Sequence, residues 1–177
     1  MVGDNEKGIA ILTDSKYSYS ATENELALTA IRSPLYCDHG WLRMEDSNYT
    51  DQGIHEFKYA ILPTNTHNTS QIFKFATAFN TPVIAIMENH HEGVLPLTYS
   101  AIDINSHNII ISAFKKAEDG NGYVIRAYEC EGKPTETILN LKALGSSIST
   151  TFAPFEIKTF LIKDGTYEEV LFTEFKN

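Results

Sequence analysis

The chain has 177 residues, long enough for one domain with a hydrophobic core. Its 14 Lys and Arg residues stand against 23 Asp and Glu, so the formal net charge is −9. Because nucleic-acid affinity comes largely from basic groups that neutralise phosphates, this balance argues against a nucleic-acid partner. No apolar run approaches the roughly 18 residues that span a bilayer, so no membrane partner is expected.

Most of the chain has the period of two, or the short apolar runs bounded by turn residues, that indicate strands. Strands are predicted, in chain order, over 8–13, 25–31, 54–62, 82–87, 101–104, 108–116, 122–130, 135–142, 155–162 and 168–175. One short amphipathic helix is predicted over 68–80, with an apolar stripe that packs on a sheet and with Asn68, Thr69 or Ser70 as its N-cap. Residues 88–100 are expected to form a long surface loop.

Two turn sequences strengthen the prediction of an all-β protein. The segments EDGNG at 118–122 and KDGT at 163–166 contain the Asp-Gly and Asn-Gly pairs that tolerate the positive φ of tight hairpin turns. We therefore predict an antiparallel β-sandwich with one short helix, folded as a single domain over residues 1–177.

The residues alone give no local signature of catalysis or of a metal site. The six histidines, at 39, 55, 67, 90, 91 and 107, follow no ligand spacing, and Cys37 and Cys130 follow no paired-cysteine pattern. Read alone, Asp14, Asp51, His55 and Glu56 are best explained as turn and strand-surface residues. The residues alone leave open a pair of glycosidase carboxylates, because the spacing of such a pair is spatial. We predict no metal ligand in this chain.

The location predicted from the sequence is the cytoplasm. The first residues, MVGDNEKG, lack the basic stretch followed by an apolar stretch that directs secretion. Two widely separated cysteines are typical of reduced thiols in a reducing compartment.

Several blocks of sequence occur in one recognisable order. GIAILTDSKYSYS at 8–20 is followed by LALTAIRSP at 26–34 and by DQGIHEFKYAILP at 51–63; NIIISAFKKAEDGNGYVIRAYECEGK at 108–133 and FAPFEIKTFLI at 152–162 complete the series. These blocks resemble the C-terminal β-domain of family 38 glycoside hydrolases, the retaining, zinc-dependent α-mannosidases. Departures are Ser18, where the family has glycine, and a longer polar segment over 36–50. The resemblance covers roughly residues 8 to 162.

The resemblance implies a portion of a galactose-mutarotase-like supersandwich that belongs to a larger enzyme. The catalytic carboxylates and the zinc ligands lie in the N-terminal part of such enzymes, which has no counterpart here, so the chain alone is expected to be inactive. Its expected partners are its own N-terminal catalytic domain and, through the parent enzyme, a terminal α-mannoside. Arg32 is the candidate for substrate binding or for the domain interface, with Asp14, Lys16 and Tyr17 as further candidates.

Other interpretations of the pattern stay open. His55, Phe57 and Tyr59 are expected to share one strand face and to pack, and the charged side chains of 115–129 are expected on the outer face of a hairpin. A stand-alone carbohydrate-binding module would use exposed aromatics such as Trp41, Tyr49 or Tyr59 to stack on sugar rings. A structural or oligomerisation domain, and hence a possible homo-oligomer, is the third alternative.

Overall fold

A computed structural model describes residues 2–3, 7–36, 48–65, 68–94 and 96–174 of the chain. Contacts divide the chain into two compact units, Met1–Ile84 and Ala85–Asn177. The expectation of a single domain stays a prediction, because two compact units are compatible with either one domain or two. Within the described ranges, no helix is both long and apolar enough to cross a membrane.

The first unit contains a small antiparallel sheet, a short hairpin and a helix. The sheet has the order β1-β2-β5 and the hairpin pairs β3 with β4. The elements are β1 Val2–Gly3, β2 Gly8–Thr13, β3 Tyr19–Ala21, β4 Leu26–Leu28, β5 Tyr59–Thr64 and helix α1 Thr69–Asn80.

Helix α1 confirms the one helix predicted from the sequence. Its N-cap is Asn68, whose side-chain oxygen accepts the backbone N–H of Gln71 at 3.2 Å. The helix contacts β2, and its half-buried apolar side chains are Ile72, Ala76 and Phe79. Spacings of four and three residues place these side chains on one face of the helix, and this apolar face explains why a helix forms in a chain that otherwise favours strands.

The second unit contains two antiparallel sheets, with the strand orders β10-β9-β6 and β12-β11-β8-β7. Its strands are β6 Asp103–Ile104, β7 Ile109–Lys116, β8 Tyr123–Glu129, β9 Thr135–Leu141, β10 Ser146–Phe152, β11 Ile157–Lys163 and β12 Thr166–Val170, with a 3-10 helix at Lys142–Leu144.

Side chains from both sheets of this unit form one buried core. Leu139 and Phe152 come from the first sheet, and Ile125 and Phe160 come from the second. All four are at most 1% exposed. Apolar side chains at alternate positions of two facing sheets are the packing of a β-sandwich, so the predicted fold class is confirmed. The wider supersandwich arrangement stays a prediction.

Both predicted hairpin turns are confirmed. The first joins β7 to β8, and Gly120 there has a φ of +77°. The second joins β11 to β12 through Asp164 and Gly165, at φ values of +50° and +77°. Consecutive positive φ values match the right-handed twist of the strands they connect, and this match explains why Asp-Gly was a reliable signal.

Several expectations about strands differ from the structure: β1 and β3 were not predicted, and the strand predicted over 25–31 ends at Leu28. The predicted strand over 82–87 is wrong: no described strand pairs with it, and Val83 and Met87 are almost fully exposed. Strand β10 was missed because its residues are mostly Ser and Thr, with only Ile148 and Phe152 as buried apolar side chains. The strand predicted over 54–62 begins later, at Tyr59, and the one predicted over 168–175 ends at Val170.

A buried carboxylate joins two loops of the sandwich. Glu129 is 1% exposed, so the expectation that every charged side chain of this hairpin faces outward is wrong at its last residue. Five N–H groups donate to its two oxygens at 2.7 to 3.2 Å: the Asn108 amide and the backbone N–H groups of Glu131, Gly132, Lys133 and Phe155. Burial alone would raise the pKa of Glu129, but these hydrogen bonds outweigh it and lower the pKa to about 2.

The residues that follow β12 contact the outer side of the second sheet. The Arg126 guanidinium donates to the carbonyl of Phe172 at 2.7 Å and lies 3.9 Å from the centroid of its ring. The carboxylate of Glu174 pairs with the ammonium of Lys115 at 2.7 Å. We call Leu171, Phe172, Thr173 and Glu174 the strap, because they tie the end of β12 to β8 and β7.

Candidate functional site

Three of the sequence blocks meet at an open pocket on the first unit. It contains Lys16 and Tyr17 from the first block, Arg32 from the second, and Asp51 and His55 from the third. The other lining residues are Ser15, Ser18, Thr29, Ala30 and Ile31. Of the four site residues predicted from the sequence, the structure brings three together here: Lys16, Tyr17 and Arg32.

The fourth predicted residue, Asp14, does not line this pocket. Its carboxylate accepts the backbone N–H of Lys58 at 3.0 Å, and its own N–H donates to the Lys58 carbonyl at 3.2 Å. The backbone hydrogen bond from Lys58 and the hydroxyl of Ser15 hold the pKa of Asp14 below its usual range. Asp14 therefore anchors the turn after β2 to the residues before β5, and this anchor sets the position of Lys16.

The Arg-Ser-Pro block is tied to the Asp-x-Gly block by hydrogen bonds. Ser33 donates its hydroxyl to the Thr50 carbonyl at 2.6 Å and accepts the Gln52 amide at 2.5 Å. The N–H of Thr50 donates to the Pro34 carbonyl at 2.9 Å. These bonds place Arg32 beside Asp51, although the two are far apart in sequence.

The third block folds back on itself at the pocket. Asp51 has a φ of +52°, a left-handed conformation that Asp tolerates better than most residues. Its carbonyl lies 2.7 Å from Nε2 of His55. Residues 54–58 are outside any strand, and His55 and Phe57 are half-buried as expected, whereas their neighbours are exposed. Tyr59 is 59% exposed, so the expectation that it packs as they do is wrong.

The pocket side chains offer hydrogen-bond donors that face solvent. Arg32 and Tyr17 are exposed, and among the described residues Arg32 makes no hydrogen bond or ion pair. The Lys16 ammonium lies 4.9 Å from the centroid of the Phe57 ring, close enough for a cation–π contact. A guanidinium, an ammonium, a phenol and an imidazole around one depression suit a ligand rich in hydroxyls or a partner carboxylate.

A second, mainly apolar pocket lies beside the first and shares two residues with it. Lys16 and Tyr17 line both pockets. The remaining lining residues are Ile11 and Thr13 of β2, Tyr19 of β3, and Leu26, Ala27 and Leu28 of β4. Lys16 and Tyr17 thus stand between a polar and an apolar depression.

Sequence reasoning missed Asp51 and His55 as site residues, because each is ordinary for a turn or a strand surface. The available signal was the Asp-x-Gly-x-His block itself. The aromatics of the carbohydrate-module alternative are elsewhere: Tyr49 forms a β-bridge with Leu35 and Tyr59 begins β5, and neither lines the pocket around Arg32. Trp41 lies outside the described residues.

The donor set does not fit a zinc ion. Across the described ranges, no three His, Cys, Asp or Glu side chains are close enough to share a metal. Asp51 is the only carboxylate among the described residues that line the pocket around Arg32, whereas a glycosidase site requires a pair. Cys37, His39 and His67 lie outside the described residues.

Comparison with known protein families bears on the sandwich. Residues 108–150, which run from the start of β7 into β10, match the family model "Glycosyl hydrolases family 38 C-terminal beta sandwich domain". This part of the sandwich is similar to the C-terminal domain of that family. The resemblance noted in the sequence is thereby confirmed.

Several known α-mannosidases are similar to most of this chain. Alpha-mannosidase G of Dictyostelium discoideum is 29% identical over 86% of this chain, and alpha-mannosidase 2C1 of Mus musculus is 25% identical over 88% of it. The alpha-mannosidase of Saccharomyces cerevisiae is 28% identical over 78%. The chain spans only 13 to 16% of the length of these relatives. No solved structure matches it.

Proposed function

We propose that this chain is the C-terminal β-domain of an α-mannosidase, that it packs on the catalytic domain of the parent enzyme, and that it helps to shape the mannose pocket. The observation that carries the proposal is the meeting of Arg32, Lys16 and Tyr17 with Asp51 and His55 at one open pocket. The similarity to α-mannosidases supports the enzyme class.

Arg32 is the residue through which we expect the domain to act on the sugar. Its guanidinium is exposed and makes no bond to a described residue, so it is available to a group from outside the chain. Five N–H donors in a rigid fork can bind two sugar hydroxyls or hold a catalytic carboxylate through two parallel hydrogen bonds. Zinc and the reacting carboxylates belong, in this proposal, to the catalytic domain.

A cytoplasmic location is part of the same proposal. Its support is the cysteine content, since two widely separated cysteines in 177 residues are typical of proteins from reducing compartments.

The test is hydrolysis of a nitrophenyl α-mannoside with added zinc. The chain alone is expected to be inactive, whereas the complete parent protein is expected to be active. In the parent, Arg32→Ala is expected to lower kcat/KM roughly 10- to 100-fold, because a hydrogen bond to a charged group contributes about 1.5 to 3 kcal/mol.

The matched control is Lys74→Ala, which removes an exposed cation from helix α1 away from the pocket and is expected to leave kcat/KM unchanged. Hydrolysis by the isolated chain would refute the assignment as an accessory domain. Equal activity of wild type and Arg32→Ala would refute the role of Arg32.

A further inference from the structure

An exposed aromatic side chain sits at a strained backbone position between β10 and β11. Ala153–Glu156 form a β-turn closed by the Glu156 N–H donating to the Ala153 carbonyl at 3.1 Å. Pro154 occupies the second position of the turn and Phe155 the third, where φ is +58°. Glycine is the usual residue at a third position with positive φ, so an aromatic side chain there costs on the order of 1 to 3 kcal/mol.

The sandwich holds Phe155 in place by way of its buried carboxylate. One oxygen of Glu129 accepts both the Phe155 N–H at 3.0 Å and the Gly132 N–H at 2.7 Å. The aromatic ring lies directly on Gly132: a Cβ added there would be 2.7 Å from two ring atoms. The missing side chain at 132 therefore makes room for the ring, and the shared oxygen fixes its orientation.

This arrangement does not bury the ring. Phe155 is 70% exposed, and Ile157 beside it is 59% exposed. A strained backbone and an exposed aromatic ring are two separate costs at one residue, and the contacts with Glu129 and Gly132 hold the ring without burying it. Strain that the surrounding structure enforces is characteristic of functional positions.

The surroundings of the ring have the character of an interface. Charged side chains flank Gly132, the residue under the ring, in sequence: Glu131 pairs with Lys133 at 3.0 Å and with the imidazole of His107 at 3.4 Å, and both partners are largely exposed. An aromatic anchor with apolar neighbours inside a charged rim is the usual composition of a binding hot spot. We call Phe155, Ile157 and Pro154 the anchor patch.

We propose that the anchor patch binds the remainder of the parent polypeptide and that Phe155 is its central contact. This inference rests on the proposed function, in which the chain packs on a catalytic domain. The binding partner is inferred from chain length. The segment covers 16% of the related α-mannosidases, so those polypeptides are about six times as long and contain further chain that can cover the anchor patch.

The test measures one substitution in two settings. Phe155→Asn removes the ring and introduces a residue that tolerates the positive φ of this position. Phe155→Gly is the second variant and tolerates the positive φ at least as well. In the isolated chain, both are expected to leave the midpoint of thermal unfolding unchanged or raised by a few degrees. In the complete parent, both are expected to lower that midpoint.

A binding measurement accompanies the stability measurement. When the chain is co-expressed with the preceding region of the parent, wild type is expected to copurify with it, and Phe155→Asn is expected to bind at least tenfold more weakly. The control is Ile138→Thr, which removes an exposed apolar side chain from the outer face of β9 and should bind like wild type.

Each outcome separates this inference from the proposed function. If wild type does not bind the preceding region, both fail. If wild type and Phe155→Asn bind equally, the proposed function stands and the role of Phe155 is refuted. If the isolated chain instead forms a dimer that Phe155→Asn abolishes, the patch binds a second copy and the proposal is overturned.

Discussion

Replacing Glu129 by glutamine should destabilise the sandwich by removing its buried carboxylate. The side chain is fully enclosed and accepts five hydrogen bonds, so one of the new amide's two polar atoms would be an NH₂ group that faces N–H donors. The pKa of Glu129 lies at about 2 in the folded chain, against 4.5 for a glutamate in water. This lowering of the pKa corresponds to about 3 kcal/mol of stability at neutral pH.

The sign of the pH dependence follows from the direction of the shift. A carboxylate with a lowered pKa stabilises the folded state fully above pH 4.5, and this contribution is lost as the pH falls towards 2. Urea denaturation followed by circular dichroism, at pH 7 and at steps down to pH 3, measures the free energy of unfolding. At pH 7, the free energy of unfolding of Glu129→Gln is expected to be about 3 kcal/mol lower than that of wild type. Below pH 4.5, this difference between the two proteins should narrow.

The control for this experiment is Glu136→Gln on β9. Its side chain is exposed, so its removal should change the free energy of unfolding by less than about 0.5 kcal/mol. If Glu129→Gln has the same free energy of unfolding as wild type, or if the difference between them does not depend on pH, the buried carboxylate does not stabilise the sandwich as proposed.

Two further predictions concern other elements. Arg126→Gln removes the guanidinium, its contact with the Phe172 ring and its hydrogen bond to the Phe172 carbonyl, so backbone hydrogen exchange in the strap should become faster. The control Lys116→Gln, on the neighbouring strand β7, should leave this exchange rate unchanged. Equal exchange rates in both variants would contradict the role of Arg126. Asn68→Ala removes the N-cap of α1 and should lower the free energy of unfolding, measured by urea denaturation, by about 1 kcal/mol. Asn68→Ser, which can still cap the helix, should keep most of this free energy. Equal losses in the two variants would argue against capping.

Local signals predicted most of the sandwich correctly. Strands β7, β8, β9 and β11 were found within two residues of their ends, because apolar alternation and Asp-Gly or Asn-Gly turns are read directly from the sequence. The segment over 82–87 has equally apolar residues but no pairing partner among the described strands. Pairing depends on the rest of the chain, so alternation alone gave a wrong strand there.

The site was predictable as a set of residues but not as a geometry. The blocks pointed to Arg32, Lys16 and Tyr17, yet their meeting with Asp51 depends on the bonds of Ser33 and Pro34 to Thr50, which join distant positions. Phe155 was not predicted as a site residue, because its position is unusual for its residue type. Local turn rules favour glycine at its position, so nothing in the turn sequence indicates a positive φ at phenylalanine.

The hydrophobic core and the pocket around Arg32 draw on separate parts of the chain. The buried side chains of the core cluster all come from residues 109–162, whereas the pocket residues come from 15–55. Because the two sets share no residue, we expect substitutions around Arg32 to change the shape and charge of the pocket while the buried side chains of this core stay as they are.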